Sequence, residues 1–79
     1  QMAGLAAGHD IAVVRGDPGS GGFSVFCFKD DRLLAVESVN QPADHMAGRR
    51  LLTTGAAITP AQAGDMDLPL KALLNMPPR

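Results

Sequence analysis

The sequence predicts an α+β domain: a small, mostly antiparallel sheet of three or four strands, one main helix after the central hairpin, and short helices towards the C-terminus. Three observations carry that reading. Residues 23–28 and 33–39 are rich in aromatic and β-branched side chains and are separated by only four turn-forming residues. Asn40, Gln41 and Pro42 then stop the strand pattern and open a stretch with helical spacing. The chain has 79 residues, enough for one domain.

Taken in order, residues 1–7 are weakly apolar, with Met2 and Leu5 their sizeable side chains, and read as a strand that starts upstream of Gln1. Gly8, His9 and Asp10 read as a turn. Residues 11–15 form a β-branched strand, apolar on both faces, as expected where both sides of a sheet are covered. Residues 16–22, with four Gly, a Pro, an Asp and a Ser, read as a loop. In the central strand, Phe23, Val25 and Cys27 point one way and Ser24, Phe26 and Phe28 the other. Lys29, Asp30, Asp31 and Arg32 make a hairpin turn, in which Asp tolerates left-handed backbone. In the returning strand Leu34, Val36 and Ser38 share a face, and Leu33, Ala35, Glu37 and Val39 the other.

Asn40 or Gln41 caps the main helix, with Pro42 in its first turn and Asp44 near its positive end. Ala43, Met46, Ala47, Leu51 and Thr54 fall at helical spacing and form the expected buried stripe, widened by Leu52. Arg49 and Arg50 lie towards the helix end, and Gly55 supplies a left-handed cap. Thr59, Pro60 and Gln62 spell a capping box for a helix of one or two turns that stops near Gly64. Asp67, Leu68 and Pro69 open a last short helix. The domain is expected to span residues 1–75, with 76–79 a disordered tail.

The bulk composition excludes several functions. A chain this short buries about 60–65% of its unfolded surface, so its core calls for support. A single cysteine, Cys27, precludes an internal disulfide and fits a reducing, cytoplasmic setting. Seven Lys and Arg against eight Asp and Glu, with neither Trp nor Tyr, provide no nucleic-acid footprint. No apolar run approaches the roughly 18 residues of a membrane span. Support is therefore expected from another chain or another domain of the same chain.

No constellation of side chains promises catalysis or metal binding. Residues 16–22 lack the Lys and Ser/Thr of a phosphate loop and lead into a strand, so they read as a connection. Cys27 stands between two Phe with no cation beside it, as a buried thiol does. The pairs His9–Asp10 and Asp44–His45 lack a nucleophile, and both histidines read as solvated, His45 on the exposed side of its helix. Asp30 and Asp31 do not converge on a cation. Arg15, Arg32, Arg49 and Arg50 are the candidates for docking an acidic partner, against the plainer reading of surface charge that complements a helix dipole.

Several pieces together resemble the C-terminal domain of the FAD-dependent, NAD(P)H-using ferredoxin reductases of the putidaredoxin and rubredoxin reductase kind. They are the opening Gln1-Met2-Ala3-Gly4-Leu5, the run Val13-Val14-Arg15-Gly16, residues 23–40, and residues 41–52 ending in Arg49-Arg50-Leu51-Leu52. The likeness covers residues 1–56 and continues loosely to residue 74. It implies a parent enzyme with an FAD domain, an NAD(P)H domain and this third, interface-like domain, which packs beside the flavin and helps shape the face where a ferredoxin docks. The flavin-contacting segment, which carries a Trp in the family, would lie just before Gln1, and the dinucleotide fingerprints are absent here. The resemblance thus transfers no catalytic or cofactor-binding residue to this chain. It also makes the chain a fragment of a longer protein, inactive alone and able to form a homodimer. The rival reading is a free-standing interaction module without enzymatic activity.

Overall fold

The computed structural model describes residues 2–4, 8 and 10–77; of Met2 and Ala3 it describes the backbone. Gln1, His9 and residues 5–7, 78 and 79 lie outside that set, and with them the solvated reading of His9. The strands are β1 (Met2–Gly4), β2 (Ile11–Asp17), β3 (Gly22–Lys29) and β4 (Arg32–Val39). They form one antiparallel sheet in the order β1-β4-β3-β2. The helices are α1 (Pro42–Thr54), α2 (Pro60–Gly64) and α3 (Leu70–Leu74). The expected α+β class, the central hairpin, and the order of main helix and short helices are all present.

Local chemistry explains most of the element ends. Asp30 and Asp31 both adopt positive φ, 51° and 63°, between the paired Lys29 and Arg32. That is the two-residue turn whose twist matches the flanking strands. Gly55 ends α1 in left-handed backbone, its N–H bonded to the Leu51 carbonyl. Thr59 and Gln62 exchange both bonds of the capping box, at 3.1 and 2.8 Å. At the start of α1 the outcome differs: Gln41 holds the cap position without a side-chain bond. Asn40 instead turns left-handed and donates its Nδ2 to the Gly21 carbonyl, 2.9 Å away.

The glycine-rich connection is shorter than expected. Gly16 and Asp17 stay in the ladder opposite Phe23 and Gly22, leaving a single 3-10 turn at Pro18–Ser20. The Asp17 carboxylate accepts from the Gly19 N–H at 2.9 Å and holds that turn.

Ser24, Phe26 and Phe28 of β3 face the helices, as the alternation requires, and are fully buried. Val36 and Ser38 of β4 share that face. Leu34 does not join them. A β-bulge opposite Cys27 and Phe28 makes Leu34 the extra residue, so Leu33 pairs with Phe28 and packs on the core in its place. Leu51, Ile58, Ala63 and Leu73 close this core from the helical side.

Three further expectations are corrected. First, the buried stripe of α1 is Ala47, Gly48 and Leu51, while Met46 is 63% exposed and Ala43 and Thr54 are exposed too. Gly48 sets this rotation: a Cβ there would stand 2.8 Å from Val36 Cβ, so the helix rests on the sheet where it has no side chain. The same rotation turns His45 partly inward, with Nδ1 buried and no hydrogen-bond partner for it among the described residues. Second, β2 is an edge strand whose outward residues Ala12 and Val14 are exposed, Val14 at 46%, so none of the described residues covers its outer face. Third, the fold does not stop at residue 75. Met76 packs against the core, and the Pro77 carbonyl accepts from Ala57 N–H at 2.9 Å.

Candidate functional site

The four arginines of the expected docking set separate into three settings. Arg15 leaves the set: it is 6% exposed and points from β2 towards the helices. Its guanidinium donates to the carbonyls of Ala63 (3.2 Å), Asp65 (2.9 Å) and Leu68 (2.6 Å). Those carbonyls end α2 and line the link to α3, where helix geometry leaves acceptors unpaired. A planar cation with five donors fits such a convergence and is spent on it.

Arg32 is exposed at the start of β4 and borders a groove of about 320 Å³ with Leu33, Leu52 and Gly55, beside the C-terminal end of α1. Arg49 and Arg50 stand together on the exposed side of α1. They border a shallow groove of about 570 Å³ lined by Ala43, Met46, Ala47 and by Leu74 of α3. Because α1 runs on to Thr54, neither arginine lies in its last turn. The dipole effect fades within that turn, so it does not account for the pair. No carboxylate among the described residues forms an ion pair with Arg49 or Arg50. An exposed Met flanked by Ala, with two arginines at the edge, has the make-up of an interface centre with a charged rim.

Behind this helix lies a polar chain that the sequence alone did not reveal. Ser24 Oγ lies 3.0 Å from Ser38 Oγ and donates to the Asp44 carboxylate at 2.8 Å. Ser24 and Ser38 are buried at 0% and 3% exposure, so Asp44 anchors the first turn of α1 to two hydroxyls of the sheet. The signal for it was faint: the alternation placed Ser24 and Ser38 each among core residues, but only their direct pairing across β3 and β4 joins them.

Cys27 is buried on the opposite sheet face. Burial first, and then the negative charge of Glu37, push its thiol above the ordinary value, away from nucleophilic reactivity. The glycine-rich turn does not fit a dinucleotide phosphate. A Cβ on Gly22 would meet Gln41 Nε2 at 2.7 Å and one on Gly19 the Asp17 carboxylate at 3.2 Å, so the chain itself fills that concavity. An anionic phosphate would also face the Asp17 carboxylate there.

The matched family is decisive at this point: residues 1–74 fit the model described as "Reductase C-terminal". The chain belongs to that family. Among curated proteins it is 61% identical over 71 residues to rhodocoxin reductase of Rhodococcus erythropolis, covering 90% of this chain and 17% of that protein. It is 36% identical over 74 residues to putidaredoxin reductase CamA of Pseudomonas putida, covering 94% of this chain and 18% of that one. Among solved structures, the covalent putidaredoxin reductase–putidaredoxin complex matches with a TM-score of 0.86 and 37% identity, over 92% of this chain and 18% of that one. The ferredoxin reductase for the CYP199A2 system of Rhodopseudomonas palustris matches with a TM-score of 0.85 and 45% identity, over 90% of this chain and 18% of that one. The reductase C-terminal domain described here therefore spans about a fifth of the length of its relatives. Among its described residues, no helix is long and apolar enough to cross a membrane.

Proposed function

We propose that this reductase C-terminal domain is the docking and scaffold domain of an FAD-dependent ferredoxin reductase, which passes electrons from NAD(P)H through FAD to a ferredoxin in the cytoplasm. The observation that carries the reading is the family match across residues 1–74, on a fold shared with a reductase solved in complex with its iron–sulfur partner. FAD and NAD(P)H are held by the remaining domains of the same polypeptide. This domain supplies no reacting group: its thiol is buried with a raised pKa and its glycine-rich turn is filled by its own chain.

Its contribution to the reaction is a surface. Arg49 and Arg50 meet carboxylates of an acidic ferredoxin, while Met46, Ala43 and Leu74 supply the apolar contact that excludes water. Arg32, at the neighbouring groove beyond the end of α1, extends the positive rim. Charged rims of this kind steer encounter and set orientation, as a transient electron-transfer complex requires. The core beneath α1, including the Ser24–Asp44 bond, holds that surface in place.

The test uses the full-length protein. It is expected to purify with bound FAD and to reduce a ferredoxin with NADH or NADPH as donor, at a rate that falls as salt is raised. A flavin-free full-length protein that fails to reduce any ferredoxin would overturn the assignment.

A further inference from the structure

All three helices lie on one face of the sheet, and the other face is apolar without them. Strand register sets Val14, Val25 and Glu37 abreast across β2, β3 and β4 on this outer face, with Phe23 and Val39 abreast on the next row. Val14 is 46% and Val39 38% exposed, and Phe23 and Val25 are half-buried. Glu37 is exposed and has neither a hydrogen bond nor an ion pair among the described residues. An antiparallel sheet with one solvated face normally alternates apolar and polar residues, and here the outward positions of β2 and β3 carry no polar side chain in these rows. A contiguous apolar face of this kind marks an interface.

We propose that this outer face is the seat of the rest of the reductase polypeptide. The covering surface is apolar and carries one cation or N–H donor opposite Glu37. The inference rests on the ferredoxin-reductase reading above. Three observations choose this occupant. The domain accounts for 17% to 19% of the length of the reductases it matches, so about four-fifths of such a protein must pack somewhere. β1 is the edge strand beside β4, with Met2 opposite Glu37, so the N-terminal end of β1 lies at the edge of the patch, in the row of Val14, Val25 and Glu37. A second copy fits poorly. The nearest cation on this face, Lys29, stands at the hairpin end, so a twofold contact over the apolar centre would bury both Glu37 carboxylates unpaired.

The test is thiol labelling of the intact, flavin-loaded reductase. Val14→Cys and Val39→Cys are compared with Met46→Cys on the helical side, each site read by peptide mass mapping with a maleimide. Val14→Cys and Val39→Cys are expected to label about tenfold more slowly than Met46→Cys, at a ratio unchanged by dilution. Hydroxyl-radical footprinting of the unsubstituted protein provides a second reading: Phe23 stays unoxidised until the protein is denatured, while Met46 oxidises in the native state. Equal labelling rates, or native oxidation of Phe23, would overturn the proposal. Protection that vanishes on dilution would do so as well, by assigning the face to a second copy. A flavin-loaded, ferredoxin-reducing protein that labels freely at Val14→Cys disproves the interface alone. A full-length protein without flavin disproves the reductase reading together with it.

Discussion

The two faces of this sheet are built from the same strands and solve opposite problems. The inner face is closed by its own chain over its centre: Phe26, Phe28 and Val36 lie under α1, α2 and α3, and two of its polar groups are paired, Ser24 with Asp44 and Arg15 with three carbonyls, while His45 Nδ1 stays unpaired among the described residues. The outer face leaves Val14 and Val39 substantially exposed and Glu37 without a partner among the described residues. A small domain with one closed and one open face has a core of limited size, and the open face is where a neighbour adds what the core lacks. Substitutions on the inner face should therefore act on the domain's own stability, and those on the outer face mainly on its assembly.

The largest effect is expected at Arg15. Arg15→Met keeps the bulk but removes the cation from the carbonyls of Ala63 and Leu68 and leaves the Asp65 carbonyl only its bond from the Leu68 N–H, a loss of about 3 kcal/mol. Amide exchange at Ala63, Asp65 and Leu68 would read the loss as local opening of the α2–α3 link, and Arg15→Lys is expected to recover only part of it. Unchanged exchange at those amides would mean the three bonds are dispensable.

Gly48 comes next. Gly48→Ala places a methyl 2.8 Å from Val36 Cβ, and overpacking of about 1–2 kcal/mol should outweigh the better helix propensity of Ala. A double-mutant cycle with Val36→Ala provides the check, since relief of the clash must make the pair less costly than the sum of the singles. Ser24→Ala should cost about 1 kcal/mol by leaving Asp44 without its donor, seen as faster exchange of the His45 amide, which bonds to Gln41 at the start of α1.

How far these features could be read from the sequence follows their range along the chain. The hairpin turn, the Gly55 cap and the Thr59 capping box are set within a few residues, and their residue types name their geometry. The rotation of α1 was not legible, because a search for helical periodicity looks for large side chains, whereas this helix rests on the sheet at Gly48. The exchange of Leu33 for Leu34 in the core depends on one bulge in a partner strand, which no local pattern announces. Arg15 looked like its three exposed counterparts. Only the arrival of carbonyls from about 50 positions along the chain separates it from Arg49 and Arg50. The proposed docking face is half legible: the sequence offers Arg49 and Arg50 as docking candidates, whereas helical spacing places Met46 on the buried side and the structure exposes it.

The smallest effect belongs to the outer face. Because the Cys27 thiol is raised in the folded state, the stability it contributes is present below the ordinary thiol value and lost as pH rises through the raised one. Glu37→Gln removes one of the two causes, so the pH–rate profile for alkylation of Cys27 should move to lower pH. A profile unmoved by that substitution would leave burial as the entire cause.

The central claim, that the helical face meets the ferredoxin, is tested most directly by steady-state kinetics of the intact reductase carrying Arg49→Glu and Arg50→Glu. The KM for ferredoxin should rise about tenfold or more and lose most of its salt dependence, while ferricyanide reduction, which needs no docked protein, stays at the parent rate. An unchanged KM for ferredoxin in a variant that retains its flavin would contradict the account.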